Sequence, residues 1–205
     1  MGLQPINDAP TLPTPETIPT AIPASPGVDI WRKPPSTVVS NAPCYIETFP
    51  AKSFLRARVS IKANWQRLYD QGGLVLFIPG WPTQEVWLKA GIEFTGGQPW
   101  VSTVIGREGG DWSLFPAPGG AREEVTVEIE REEDGKGTSL WVYLVEGDKR
   151  TPIRESTWVF KEEYLKGDIS VGIYAARPTK LGEEDKEVLD VSFASLEITK
   201  QSPDY

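Results

Sequence analysis

LYDQGGLVLFIPGWPTQEVWLKAGIEF, residues 68–94, reads as two strands joined by a turn, and its second strand decides the fold. Successive strand side chains point to opposite faces. Leu88, Ala90, Ile92 and Phe94 therefore share a core face, and Trp87, Lys89, Gly91 and Glu93 share the other. That second set is neither a greasy interior nor the Lys/Glu/Thr mixture of a solvated sheet, and it reads as the floor of a groove. In the first strand Leu74, Leu76 and Ile78 match the same core. This puts Tyr69, Gln71 and Gly73 on the groove side with Lys89 and Glu93; a one-residue slip would reverse it. Two prolines stiffen the turn at 79–82 and project Trp81 toward the rim. Taken singly, the tryptophans read as half-buried packing residues and Lys89 with Glu93 as a surface ion pair. As a set on one face they favour a site.

Outward from this hairpin the chain keeps period two. Leu55, Ala57, Val59 and Ile61 alternate with a basic face, Arg56, Arg58 and Lys62. Gly96-Gly97 turns the chain into WVSTVI (100–105), completing a meander. GREGGDWSLFPAPGG (106–120) reads as a Gly/Pro-rich loop centred on Trp112, the kind of segment where sites gather. Residues 125–130 and 140–144 alternate again, with Arg154, Glu155 and Trp158 in a connecting segment after them. The acidic run 124–133 reads as a solvated edge strand whose charges oppose aggregation, or as a contact surface. Residues 169–175 carry a core face opposite Ser170, Gly172 and Tyr174, and the closing 189–198 strand needs a bulge at Ser195. A single helical turn is expected at 161–166. Many short strands with Gly-rich turns predict an all-β sandwich or barrel.

The N-terminal 26 residues contain seven prolines and cannot hold a helix or a sheet ladder. They are expected to form an arm, either disordered or wrapped along a groove of this domain or of a neighbouring subunit. Residues 27–205 then make one domain, opened by VDIWRKPP (28–35) as a short edge strand that stops at its prolines.

Composition narrows the chemistry. With net charge −8 a nucleic-acid partner is not expected, and with no histidine, Ser-His-Asp and Cys-His sites and imidazole-bound zinc or iron are excluded. Only oxygen-ligated calcium or magnesium stays open, and no cofactor or resident metal is expected. The lone Cys44 has no internal disulfide partner and is expected to be an ordinary thiol. No apolar run reaches signal-peptide or membrane-spanning character, so a cytoplasmic protein off the membrane is expected. Eight tryptophans suit a sandwich core or a sugar-binding surface equally.

YDQGGLVLF, VWLKAGIEF, WVSTVIGREGGDWS, VGIYAARP and VSFASLEI, in that order, resemble a domain-of-unknown-function family placed among the concanavalin A-like lectins and glucanases, and VDIWRKPP resembles its fungal branch, the regulation-of-enolase proteins. The resemblance covers 28–200 and implies a jelly-roll sandwich of two antiparallel sheets with a concave inner sheet, and a part in controlling a glycolytic enzyme such as enolase. Glucanases of that superfamily carry Glu-x-Asp-x-x-Glu on a strand, whereas this chain offers Lys89, Gly91 and Glu93. Hydrolysis needs two carboxyls about 5–10 Å apart, and the second would have to be Asp70, Asp111 or Glu155.

Three functions are thus in view. The first is a non-catalytic binding or regulatory module for a carbohydrate or small polar metabolite. In it Trp81, Trp87, Trp112 and Tyr174 stack on rings while Tyr69, Gln71, Lys89 and Glu93 bond hydroxyls. The second is a carbohydrate-active hydrolase or lyase using Glu93 and Lys89. The third is a regulator that binds proteins through the arm or the acidic strand.

Overall fold

In a computed structural model, which describes residues 2–78, 86–121 and 123–201, the 68–94 segment forms β7 (Gln71–Phe77) and β8 (Trp87–Thr95). They pair antiparallel in the expected register, Gln71 opposite Glu93, Gly73 opposite Gly91 and Val75 opposite Lys89. Trp81 and its turn lie outside the described residues. Leu74, Leu76, Leu88, Ala90 and Ile92 are at most 1% exposed and belong to the main core.

The other strands are β1 (Gln4–Ile6), β2 (Ala21–Ala24), β3 (Ile30–Lys33), β4 (Thr37–Ser40), β5 (Cys44–Pro50), β6 (Phe54–Lys62), β9 (Gln98–Gly106) and β10 (Gly110–Pro116). After them come β11 (Val125–Asp134), β12 (Gly137–Glu146), β13 (Lys149–Ser156), β14 (Asp168–Ala176) and β15 (Leu189–Lys200). One helical turn, α1 (Glu162–Leu165), stands where the sequence placed it. Seven strands form one antiparallel sheet in the order β1-β5-β14-β7-β8-β9-β10, and six form the other in the order β13-β12-β11-β6-β15-β2. The main core lies between them, with Val59, Val127 and Val142 of one sheet against Leu76, Leu88 and Val171 of the other. This is the concanavalin A-like jelly-roll sandwich.

Four expectations change. The proline-rich segment is no arm outside a 27–205 domain. β1 pairs with β5 and β2 with β15, and Leu3, Ile22 and Ala24 are buried in the core. Both strands are short and sit at sheet edges, where a missing proline N–H costs no ladder bond. Residues 110–116 are not loop: β10 pairs with β9 along its whole length. The connecting segment after 144 holds β13, paired with β12 through a bulge. The acidic strand β11 is interior, flanked by β6 and β12. Its acids meet the basic face of β6, with Arg58 opposite Glu128 and Arg56 opposite Glu130. Glu128 is fully buried there beneath Arg150, 2.6 Å away, and Arg56. The bulge in β15 is as expected, with Ser195 at φ 53° and the register shifting between Ala194 and Glu197.

The seven-stranded sheet also carries a second, smaller core on its outer face. Among the described residues the β3–β4 hairpin pairs with no strand of either sheet, and it lies over that face. Ile30 and Ala42 cover Val75, Phe77, Trp87, Val104 and Tyr174 there. Cys44 belongs to this cluster; its Sγ donates to the Ala42 carbonyl at 3.2 Å, and burial pushes the thiol pKa up, so it stays protonated.

Candidate functional site

Beside this second core, where the hairpin stops covering the sheet, lies a cavity of about 220 Å³. β8 supplies Lys89 and Glu93, β7 supplies Gln71, and β9 supplies Val104. Asp29, Trp31 and Lys33 come from the hairpin, and Tyr69 and Trp112 stand at the mouth. Of the eight residues expected to contact a ligand, Trp81 lies outside the described residues, and five of the other seven meet in one place: Tyr69, Gln71, Lys89, Glu93 and Trp112. The other two do not line it. Trp87 and Tyr174 are 2% and 3% exposed, packed into the second core beneath the hairpin, so neither presents a face to a sugar. They serve the site from behind: the Lys89 ammonium lies 5.4 Å from the Trp87 ring and 5.5 Å from the Tyr174 ring, a cation over two π faces.

Lys89 and Glu93 are about 13 Å apart along the strand, and between their rows stand Gly73 and Gly91. A β-carbon at Gly73 would fall 2.2 Å from the Ala90 carbonyl oxygen, and one at Gly91 2.1 Å from that of Gly72. The two backbones thus touch where side chains would block the trough. The Lys89 side chain runs through that gap, so its Nζ donates to Gln71 Oε1 at 2.6 Å and to Asp29 Oδ1 at 3.3 Å. Gln71 Nε2 donates to the same Asp29 oxygen at 3.2 Å, and the Ile30 amide donates to it at 2.7 Å. Tyr174 completes the set, its hydroxyl 3.2 Å from Gln71 Oε1. A buried ammonium is tolerated because a carboxylate, an amide oxygen and two rings replace its water.

Glu93 is 6% exposed and accepts from the Ser102 hydroxyl at 2.8 Å. Trp112 Nε1, which can only donate, gives its hydrogen to Ser102 Oγ at 3.1 Å. The Ser102 proton is thereby directed to Glu93. Burial raises the Glu93 pKa, Lys89 and the Ser102 bond hold the rise back, and the Asp29 charge adds to it. Tyr69 stands edge-on to Trp112, ring centres 6.2 Å apart, with its backbone at φ 66°, a left-handed conformation that non-glycine residues enter at a cost. Trp31 also lines the cavity, its ring against Gly110 of β10, where a β-carbon would come within 2.7 Å.

The second carboxylate is Asp29, not one of the three expected. Asp70 is fully buried in an ion pair with Arg177, Asp111 pairs with Arg154, and Glu155 accepts from Ser139. Sequence reasoning assigned 28–35 to an edge strand and so missed Asp29, Trp31 and Lys33. The only signal was a tryptophan flanked by charges in a segment whose prolines forbid a long strand. Among the described residues no three His, Cys, Asp or Glu side chains gather as a metal set, and no helix is long and apolar enough to cross a membrane.

Residues 14–201 match the family described as Protein of unknown function (DUF1349), so the matched region begins inside the proline-rich segment. The chain is 46% identical over 189 residues to an uncharacterised protein of Emericella nidulans, covering 91% of this chain and 90% of that one. It is 31% identical over 176 residues to Regulation of enolase protein 1 of Saccharomyces cerevisiae, covering 83% and 76%. Among solved structures, a functionally unknown protein from Saccharomyces cerevisiae superposes with TM-score 0.73 at 20% identity, over 98% of this chain and 97% of that one. A mutant of the GH43 protein BlXynB from Bacillus licheniformis gives TM-score 0.56 at 15% identity, over 92% of this chain and 34% of that one, a likeness of fold alone. The chain belongs to the DUF1349 family, in its fungal branch of regulation-of-enolase proteins.

Proposed function

We propose that the cavity beside the β3–β4 hairpin binds one sugar ring or a polar metabolite of similar size without transforming it, and that the protein is a cytoplasmic regulator. At about 220 Å³ the cavity is smaller than the ~300–1,000 Å³ of drug-sized sites. The observation that carries this is the pairing of a charged, hydrogen-bonded floor with aromatic walls. Among the described residues Asp29 Oδ2 takes none of the bonds that hold Oδ1 and can accept from a ligand hydroxyl, Lys89 stands beside it as donor, and Trp31, Trp112 and Tyr69 offer ring faces and edges. The name of the Saccharomyces cerevisiae relative supports placing this binding in the control of a glycolytic enzyme such as enolase.

Calorimetry with a panel of monosaccharides and glycolytic metabolites tests the reading. The ligand found for wild type should bind Trp112→Ala and Lys89→Met about tenfold or more weakly. Equal binding by all variants removes the cavity from consideration. Enolase turnover measured with and without the protein and its ligand tests the regulatory step.

One observation favours catalysis as a second reading: Asp29 and Glu93 line the same cavity, and Asp29 helps raise the Glu93 pKa. Against it, Asp29 Oδ1 is held by three donors as the counter-ion of Lys89, which suits a fixed binding floor better than a general acid or nucleophile. Release of sugar from aryl glycosides by wild type, lost in Glu93→Gln, would reverse the preference.

A further inference from the structure

At one end of the sandwich the two sheets part. The cleft between them, of about 340 Å³, is bounded by the β9–β10 corner on one side and by the end of β13 on the other. Its inner surface is set by two residues that face the core. Ile105 belongs to the main cluster, and Ser156 pairs with Leu140, itself fully buried. Ser156 is 4% exposed, and its hydroxyl oxygen has no hydrogen-bond partner among the described residues. A buried hydroxyl without a partner is unfavourable because its lost hydration is not replaced, and this one lines a cleft with room for a ligand to relieve it.

The mouth is basic and aromatic. The Arg107 guanidinium lies 5.4 Å from the centre of the Trp158 ring, and among the described residues it has no carboxylate within ion-pair reach. Arg154 donates to Ser113 Oγ at 2.9 Å and to Asp111 Oδ2 at 2.6 Å. The Asp111 side chain is 72% exposed, so its pair with Arg154 is a solvent-screened contact and readily exchanged for a ligand anion. Glu155, the other acid at the mouth, has its Oε1 engaged by Ser139. Two planar forks of donors above an apolar wall, with a hydroxyl at the inner end, form a receptor for an oxyanion joined to a flat or apolar body.

We propose that this inter-sheet cleft is a second ligand site, taking a small organic oxyanion whose head group is held by Arg107 and Arg154 and whose body lies against Trp158 and Ile105. The proposal does not depend on the occupant of the first cavity. Two probes separate the head groups, phenyl phosphate and benzoate; inorganic phosphate reports what the head contributes alone, and phenol what the body contributes. With isotope-labelled protein, at least one of the two aromatic anions should shift the backbone amides of residues 105–111 and 154–158, and phenol should not. Arg107→Gln, an exposed position that leaves the fold intact, and Arg154→Gln should each weaken binding at least about tenfold. Lys89→Met, in the other cavity, should leave it unchanged. The site is refuted if neither anion moves those amides in wild type, if both arginine variants bind as wild type does, or if Lys89→Met abolishes the shifts.

Discussion

Gly91 and Gly73 do the least conspicuous work in the first cavity, because the floor exists only where two backbones touch without side chains between them. Gly91→Ala forces a methyl into the Gly72 carbonyl. It should lower stability by about 1–3 kcal/mol, the usual cost of overpacking, read as a fall in the urea midpoint at unchanged slope. Glu93 gives a test with a definite sign. Burial raises its folded pKa above the unfolded value, so between the two the native state binds more protons, and stability falls as pH rises through that window from about 4.3 upward. Glu93→Gln removes that loss, so its stability relative to wild type should improve from pH 4 to pH 7; a constant difference would show that Lys89 and Ser102 offset the burial in full. These residues were legible in the sequence because alternation on β8 singled out the face. Alternation does not report depth, however. Trp87 and Tyr174 were assigned to the correct side of the sheet but not to a buried layer, since the hairpin that covers them is remote in sequence.

That hairpin, β3–β4, is the element on which the site turns. A two-stranded ribbon is marginal on its own, and this one is held by Ile30 in the second core, by Asp29 on Lys89 and Gln71, and by the Trp31 ring against Gly110. Removing Asp29 strands a buried cation. Asp29→Ala should therefore cost about 3 kcal/mol or more and speed amide exchange across residues 30–40. Adding Lys89→Met to the same chain should restore most of the stability, because the uncompensated charge is gone. Failure of the double variant to recover would mean that the Asp29 side chain acts through the bond it accepts from the Ile30 amide. No sequence pattern announced a strap of this kind. Its four-residue strands carry no clear alternation, and its placement depends on side-chain bonds to strands that follow it by some 40 to 60 residues.

For the whole molecule, the all-β class followed from counting alternating runs and the two-sheet jelly roll from the family resemblance, while the membership of residues 1–26 followed from neither. Local composition speaks against regular structure there, and only long-range pairing with β5 and β15 supplies it. Ile22 is fully buried, so Ile22→Ala should cost about 2–5 kcal/mol, a loss that a dispensable arm would not show in a melting curve. The order of strands has a consequence for how the chain is made. β14 stands between β5 and β7, and β15 between β6 and β2. Each sheet therefore stays in two pieces during synthesis, and the strand that joins them leaves the ribosome after both pieces. Contacts this remote fold slowly. Until they form, β5, β7, β6 and β2 each present an open edge to other nascent chains. A premature stop before residue 168 would yield fragments prone to pair with one another rather than a smaller folded domain.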